Sequence, residues 1–256
     1  MLILAPSKGQ NFDPIALPQE CSASEFLKQS KVLVSALALL DGTALARLMR
    51  LSPALTDRTM VKIRDLVAVS LEANAKPAVF TFDGEAFRSL DAASLRDADL
   101  QFAQERLRIL SGLYGLLRPF DLIRPHRLEM ATRLAVGKAK NLYAFWGDLV
   151  TESLNHDLAR EETPLVINLA SDEYAKVVQK KQLQAPWLDI QFKEEKSGQL
   201  RGVAIHAKRA RGLMARFILH ERITRVVDLR GFTGAGYRFR PELSTEWSWV
   251  FSRPAA

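Results

Sequence analysis

The cations of one segment, AKRARGLMARFILHER, offer the clearest chemistry in this chain. Helical spacing puts Lys208, Arg211, Arg216 and Arg222 on one face, with Arg209 at its boundary. Ala210, Leu213, Met214, Phe217 and Ile218 recur at the spacing of a buried stripe. Gly212 and Ala215 lie among the cations. Glycine inside a helix costs about 1 kcal/mol relative to alanine, so a small residue here suggests close approach by another backbone. That backbone is either the protein's own or a phosphodiester. The same face also reads as an ordinary solvated surface.

Two further stretches could hold an anion. In LSGLYGLLRPFDLIRPHRLEM, Gly112 and Gly115 are expected to join two short helices. Such a hairpin offers backbone N–H groups to a phosphate, and Arg118, Arg124 and Arg127 supply charge. Alternatively this is a tight turn whose arginines pair with Asp121 and Glu129. In VINLASDEYAKVV a buried strand ends at Asn168 and a helix starts near Ser171. Asp172 and Glu173 suit the first turn of a helix, but with Tyr174 and Lys176 they could also serve as acid, base or metal ligand. Lys8 sits on a Pro/Gly turn after the first strand, within reach of a phosphate. The nine-residue set Gly112, Gly115, Arg118, Arg124, Arg127, Lys208, Arg209, Arg211 and Arg216 therefore fits DNA. Lys8, Asn168, Asp172, Tyr174 and Lys208 fit a pocket acting on a small anionic or nucleotide-like substrate. Walker A, GxSxG and dinucleotide fingerprints are missing, TGAG (233–236) being too weak a glycine cluster to count.

Composition narrows the choice. The chain has 256 residues, 48% hydrophobic and 25% charged, as a soluble globule has. The formal charge is +7. Residues 171–256 carry 16 Lys+Arg against 9 Asp+Glu, while residues 1–170 carry 20 of each, so the excess lies in the last third. A basic region on a balanced body suggests a polyanionic partner. Cys21 is the sole cysteine and the four histidines are scattered, so no metal site and no cofactor are expected. Neither a membrane span nor a signal peptide is apparent. A cytoplasmic protein is expected, with a monomer favoured.

These residues need elements to position them. MLILA, PAVFTF (77–82) and PLVINLA (164–170) read as strands. RLEM alternates as a half-buried strand does. Helices are expected over SASEFLKQSKVLVSALALLDG, capped by Ser22 or Ser24 and closed by Gly42, over ALARLMRLS, over ALTDRTMVKIRDLVAVSLEANA (54–75), and over DLQFAQERLRILSGLYGLL to about Gly112. NLYAFWGDLVTESLNHDLA and residues 207–221 are further helices, and Trp146 is a core residue. LDIQFKEEKSGQLRGVAIHA reads as a hairpin about Lys196-Ser197-Gly198, and GYRFRPELSTEWSWVFS as β. Strict βαβ alternation is lacking, so a single mixed α/β domain over 1–256 is favoured over a doubly wound fold.

MLILAPSK, LQFAQERLRILSGLYGLLRPFDLIRPHRLEM, NLYAFWGD, VINLASDEY and AKRARGLMARF, in this order, resemble the YaaA family of bacterial peroxide-stress proteins from end to end. The family start resembles LISPAKT where this chain reads LAPSKGQ, so Lys8 keeps its place while nearby hydroxyls shift. The resemblance implies a cytoplasmic protein that protects DNA from iron-linked damage during hydrogen peroxide stress. It further implies binding to duplex and recombination-type DNA, a single α/β domain of unusual topology, a basic cleft, and a helix–hairpin–helix element. LSGLYG is the expected site of that element, although its glycines are spaced by two residues rather than one.

Overall fold

Leu2–Leu4 form β1, buried along its whole length as a strand covered on both faces must be. The computed structural model describes residues 1–15, 20–69 and 73–255. After β1 come β2 (Ser22–Ala23) and three helices, α1 (Leu27–Ala38), α2 (Gly42–Met49) and α3 (Pro53–Ala68). β3 (Lys76–Pro77) leads into α4 (Ala78–Thr81), α5 (Glu85–Leu90) and α6 (Asp97–Arg106). β4 (Leu107–Ser111), β5 (Gly115–Leu117) and β6 (Asp121–Ile123) follow closely. The remainder is α7 (Leu142–Leu158), β7 (Val166–Asn168), α8 (Asp172–Ala175), β8 (Trp187–Lys196), β9 (Gln199–Arg201), α9 (Ala204–His220), β10 (Arg238–Phe239) and β11 (Ser248–Pro254).

The main sheet runs β10-β11-β8-β7-β1-β4-β5, with β9 folded onto β8. β4, β1, β7, β8 and β11 are mutually parallel. Counted along the chain, these five stand in the order second, first, third, fourth, fifth, which is that of one group of doubly wound sheets. The fold is nonetheless mixed α/β, because β5, β9 and β10 join antiparallel and helices do not alternate with every strand. A small second sheet, β2-β6-β3, lies apart. The buried apolar side chains form one contiguous cluster, with Trp146 fully enclosed in it as expected.

Several elements differ from the sequence reading. The helix expected to reach Gly112 stops at Arg106, and LRILSGLYGLL is a β-hairpin. An apolar run with no polar face carries no period that separates strand from buried helix. The turn is held by Ser111, whose Oγ accepts the N–H groups of Leu113 (3.3 Å) and Tyr114 (3.1 Å). PAVFTF contributes two residues to a strand and then a helical turn, in which the Thr81 hydroxyl donates to the Pro77 carbonyl at 2.8 Å. RLEM pairs with no strand among the described residues. Ser22 belongs to β2, while Gly42 opens α2, whose N–H at Ala44 is capped by the Asp41 carboxylate at 2.7 Å. α3 ends at Ala68, and the part of its expected extension at 70–72 lies outside the described residues. The hairpin at Ser197 and Gly198 is present, both residues having positive φ (52° and 72°), as a tight two-residue turn requires, but its second strand stops at Arg201 and α9 begins at Ala204, within the stretch expected as strand.

Candidate functional site

The chain leaves β1 for β4 on one side and later returns to β7 on the other, so the C-terminal ends of β1 and β7 form a topological switch point. Open α/β sheets bind ligands in the crevice there. A cavity of about 330 Å3 occupies that place. Its walls are the segment after β1 (Leu4 to Lys8), the start of α5, Leu169, Ser171, Glu173 and Tyr174 after β7, and Lys208 and Arg211 of α9. Glu129 closes one side, with its carboxylate 3.2 Å from the Lys8 ammonium.

Tight backbone packing builds this cavity. The Ser7 hydroxyl donates to the Asp83 carbonyl at 2.8 Å, and a Cβ on Gly9 or Gly84 would collide with Asp83 or Ser7. α9 lies against α5, and a Cβ on Gly212 would collide with the carbonyl of Ala86. The close approach signalled by Gly212 is therefore to the protein's own backbone. Two α9 cations fasten the pair. Arg209 binds Glu85 at the start of α5, and Arg216 donates to the carbonyls of Leu90 (3.0 Å) and Asp91 (2.9 Å) at its end. The glutamate of the α8 turn, Glu173, accepts the Ala131 N–H at 3.2 Å and so fixes the 129–131 wall.

Of the five residues expected in a pocket, Lys8, Tyr174 and Lys208 meet in this cavity. Burial pushes the Tyr174 phenol well above its ordinary range, with the Glu173 charge adding to the effect. Tyr174 therefore stays neutral at physiological pH and cannot act as a base there. Asn168 and Asp172 line an adjoining concavity of about 950 Å3, which shares Ser171, Lys208 and Arg211 with the first. Asn168 is buried and structural: its amide donates to Asp189 at 2.7 Å and its oxygen accepts the Ala170 N–H at 2.9 Å. Arg211, at the shared wall, has a buried Nε without a hydrogen-bond partner. Burial pulls its guanidinium below the ordinary pKa, and the charge of Asp172 acts the other way.

The hairpin residues are placed differently from expectation. Gly112 and Gly115 are buried in the β4–β5 turn. A Cβ on Gly112 would collide with the Leu128 carbonyl, and one on Gly115 (φ 71°) would come within 2.8 Å of the Trp146 ring. Their N–H groups are enclosed, so LSGLYG forms neither two helices nor a phosphate-binding hairpin. Arg124 is 4% exposed and donates to the carbonyls of Asp65 and Val69 at 2.8 Å each, closing the C-terminus of α3. It has no access to a ligand. Arg127 pairs with Glu129 at 3.3 Å, as the turn reading proposed, and is partly exposed, while Arg118 is the most exposed arginine of this group.

A basic region that the sequence reading missed lies on the far side of Glu129. Arg47 and Arg50 of the α2 end and Arg133 line a concavity of about 770 Å3. Glu129 borders both this and the central cavity. At the other end, Lys176, Lys180 and Lys193 line the 950 Å3 concavity. The three hollows form one track with nine cations and five carboxylates along it. Among the described residues no three His, Cys, Asp or Glu side chains cluster as a metal site needs, and no single helix is long and apolar enough to cross a membrane.

Fold and site together define a mixed α/β protein with cation-lined hollows adjoining a switch-point cavity. The family model for peroxide stress protein YaaA matches residues 1–243. A UPF0246 protein of Acaryochloris marina is 43% identical over 99% of this chain and 99% of its own length. A UPF0246 protein of Francisella tularensis subsp. novicida is 40% identical over 99% of this chain and all of its own, and one of Tolumonas auensis is 41% identical over 99% and 98%. The chain belongs to the YaaA (UPF0246) family of peroxide stress proteins.

Proposed function

We propose that this peroxide-stress protein binds DNA through its phosphate backbone along the basic track, sheltering it from oxidative damage. One observation carries the reading. The central cavity shares Glu129 with one neighbouring hollow and Ser171, Lys208 and Arg211 with the other, so that nine cations line three adjoining hollows, while the α9 cations used as internal clamps lie outside them. The contacts are to phosphates, which position a protein without reading sequence. α2 and α3 supply the helix–hairpin–helix-like element. They are joined by Arg50, Leu51 and Ser52, with Arg50 in the left-handed region (φ 53°). Ser52 to Leu55 at the start of α3 are exposed and Ser52 makes no side-chain cap, so the N–H groups of Ala54 and Leu55 suit a phosphate, Pro53 having none. The DNA contacts are thus Arg47, Arg50, Arg133, Lys176, Lys193, Lys208 and Arg211.

Gel-shift titration of the pure protein with duplex DNA tests this. Lys176→Ala combined with Lys193→Ala is expected to weaken binding of unrelated sequences equally. No shift by the native protein, or full affinity in the double variant, would overturn the reading.

A second reading is supported by the meeting of Lys8, Tyr174, Lys208 and Arg211 in the central cavity. There the protein takes a small anionic or nucleotide-like ligand. The neutral Tyr174 phenol and the cations bind and orient it, and no proton-abstracting role falls to Tyr174.

A further inference from the structure

The central cavity differs from the hollows on either side. It is lined by apolar Leu4, Pro6, Phe87 and Leu169 among its charged groups, and it is smaller and more enclosed than the flanking hollows. Its volume, about 330 Å3, stands at the low end of the roughly 300–1,000 Å3 that accommodates drug-sized ligands. That is too large for a bare phosphate and suited to one nucleotide. Three cations, Lys8, Lys208 and Arg211, and three carboxylates, Glu85, Glu129 and Glu173, line it. α9 presents Lys208 and Arg211; Glu129 is paired with Lys8 and Arg127 and Glu85 with Arg209, whereas Glu173 carries no ion pair among the described residues and accepts the Ala131 N–H.

We propose that this cavity is a nucleoside monophosphate site, with the phosphate on Lys208 and Arg211 and the base among the apolar lining residues toward Glu173. The proposal deepens the small-ligand reading above and names its ligand class. Three observations support it. The buried Nε of Arg211 has no partner in the protein, and a buried unpaired donor is costly until something accepts from it. Guanidinium is the group best matched to a phosphate. The Glu173 carboxylate, an acceptor, suits the exocyclic amino group of adenine, cytosine or guanine, and the small volume leaves no room for a second and third phosphate beside the base. The site therefore selects monophosphates over triphosphates, unlike a nucleotide-hydrolysing loop.

The ligand has two sources, a free mononucleotide or the 5′-phosphorylated end of a DNA strand lying in the track. Calorimetric titration of the full chain separates them. Adenosine 5′-monophosphate is expected to bind at one site per chain, with inorganic phosphate and ATP each weaker by roughly 10-fold or more. Arg211→Ala should weaken AMP binding by a similar factor. Lys208→Ala, at an exposed position that folding does not depend on, should also weaken it. Displacement of AMP by an oligonucleotide with a 5′-phosphate, but not by its 5′-hydroxyl form, identifies the strand end as the source. AMP binding undisturbed by either identifies the free nucleotide. Absence of AMP binding, equal affinity for ATP, or full AMP affinity in both variants would overturn the proposal. The Lys176→Ala, Lys193→Ala protein separates it from the DNA reading, since it should lose duplex affinity and keep AMP binding.

Discussion

Salt dependence offers the most demanding test of the basic track. Of its nine cations, Lys8 is paired with Glu129 and Lys180 with Asp189. The other seven carry no ion pair among the described residues. If each neutralises one phosphate of a duplex, the slope of log affinity against log salt is about −6, at roughly −0.9 per phosphate. Raising salt from about 50 to about 200 mM then costs roughly 10^4 in affinity. Removing Lys176, Lys193 and Lys208 together should flatten the slope to about −4. Fluorescence anisotropy with a labelled duplex over this salt range measures both slopes. A native slope near −2, or an unchanged slope in the triple variant, would show that these cations do not meet phosphates. Arg209→Ala combined with Arg216→Ala is the control, because these two bind α5 and should leave the slope intact.

Other consequences concern stability. Arg124→Leu removes two charge-assisted bonds to the α3 carbonyls; these acceptors sit near solvent and regain water, so the cost is set at about 3 kcal/mol, read as a lowered Tm. Gly212→Ala drives a methyl group into the Ala86 carbonyl and should cost about 1–3 kcal/mol by denaturant titration. Burial lowers His126 from 6.5 to about 4, so the unfolded chain takes up its proton first. Its contribution is complete above about pH 6.5 and is lost as pH falls toward 4, by about 3 kcal/mol in full. Replacing it by Asn should flatten that part of the stability–pH curve. Asp121 runs the other way, since burial raises it from 3.8 to about 6 and its stabilisation fades as pH rises through that value.

The switch-point cavity was partly legible because strand ends announce themselves: MLILA and PLVINLA are short apolar runs followed by turn chemistry, and Lys8 and Tyr174 follow directly. Gly212 was legible as a point of close approach. Its partner was not, because α5 is a six-residue helix of ordinary composition. The LSGLYG hairpin misled for a physical reason. Its residues are apolar on every side since β4 lies inside the sheet, and the period that separates helix from strand exists only when one face meets water. Arg124 looked like a surface cation because nothing local marks it as buried. Its acceptors lie 55 and 59 residues away. Arg47, Arg50 and Arg133 escaped notice because they come together only once α2 meets the 129–135 segment.

The position of β1 also bears on how the protein is made. β1 is an inner strand that leaves the ribosome well before its partners: Leu2 aligns with Leu107 on one side and with Ile167 on the other. At about 5–20 residues per second, MLILA waits roughly 10–30 s for the second of them. During that time an apolar segment with open hydrogen-bonding edges is exposed to whatever else is nearby. Nascent chains of this protein are therefore expected to depend on holdase protection until β7 emerges, and a translational pause placed just before β7 should raise the aggregated fraction more than the same pause placed after β11.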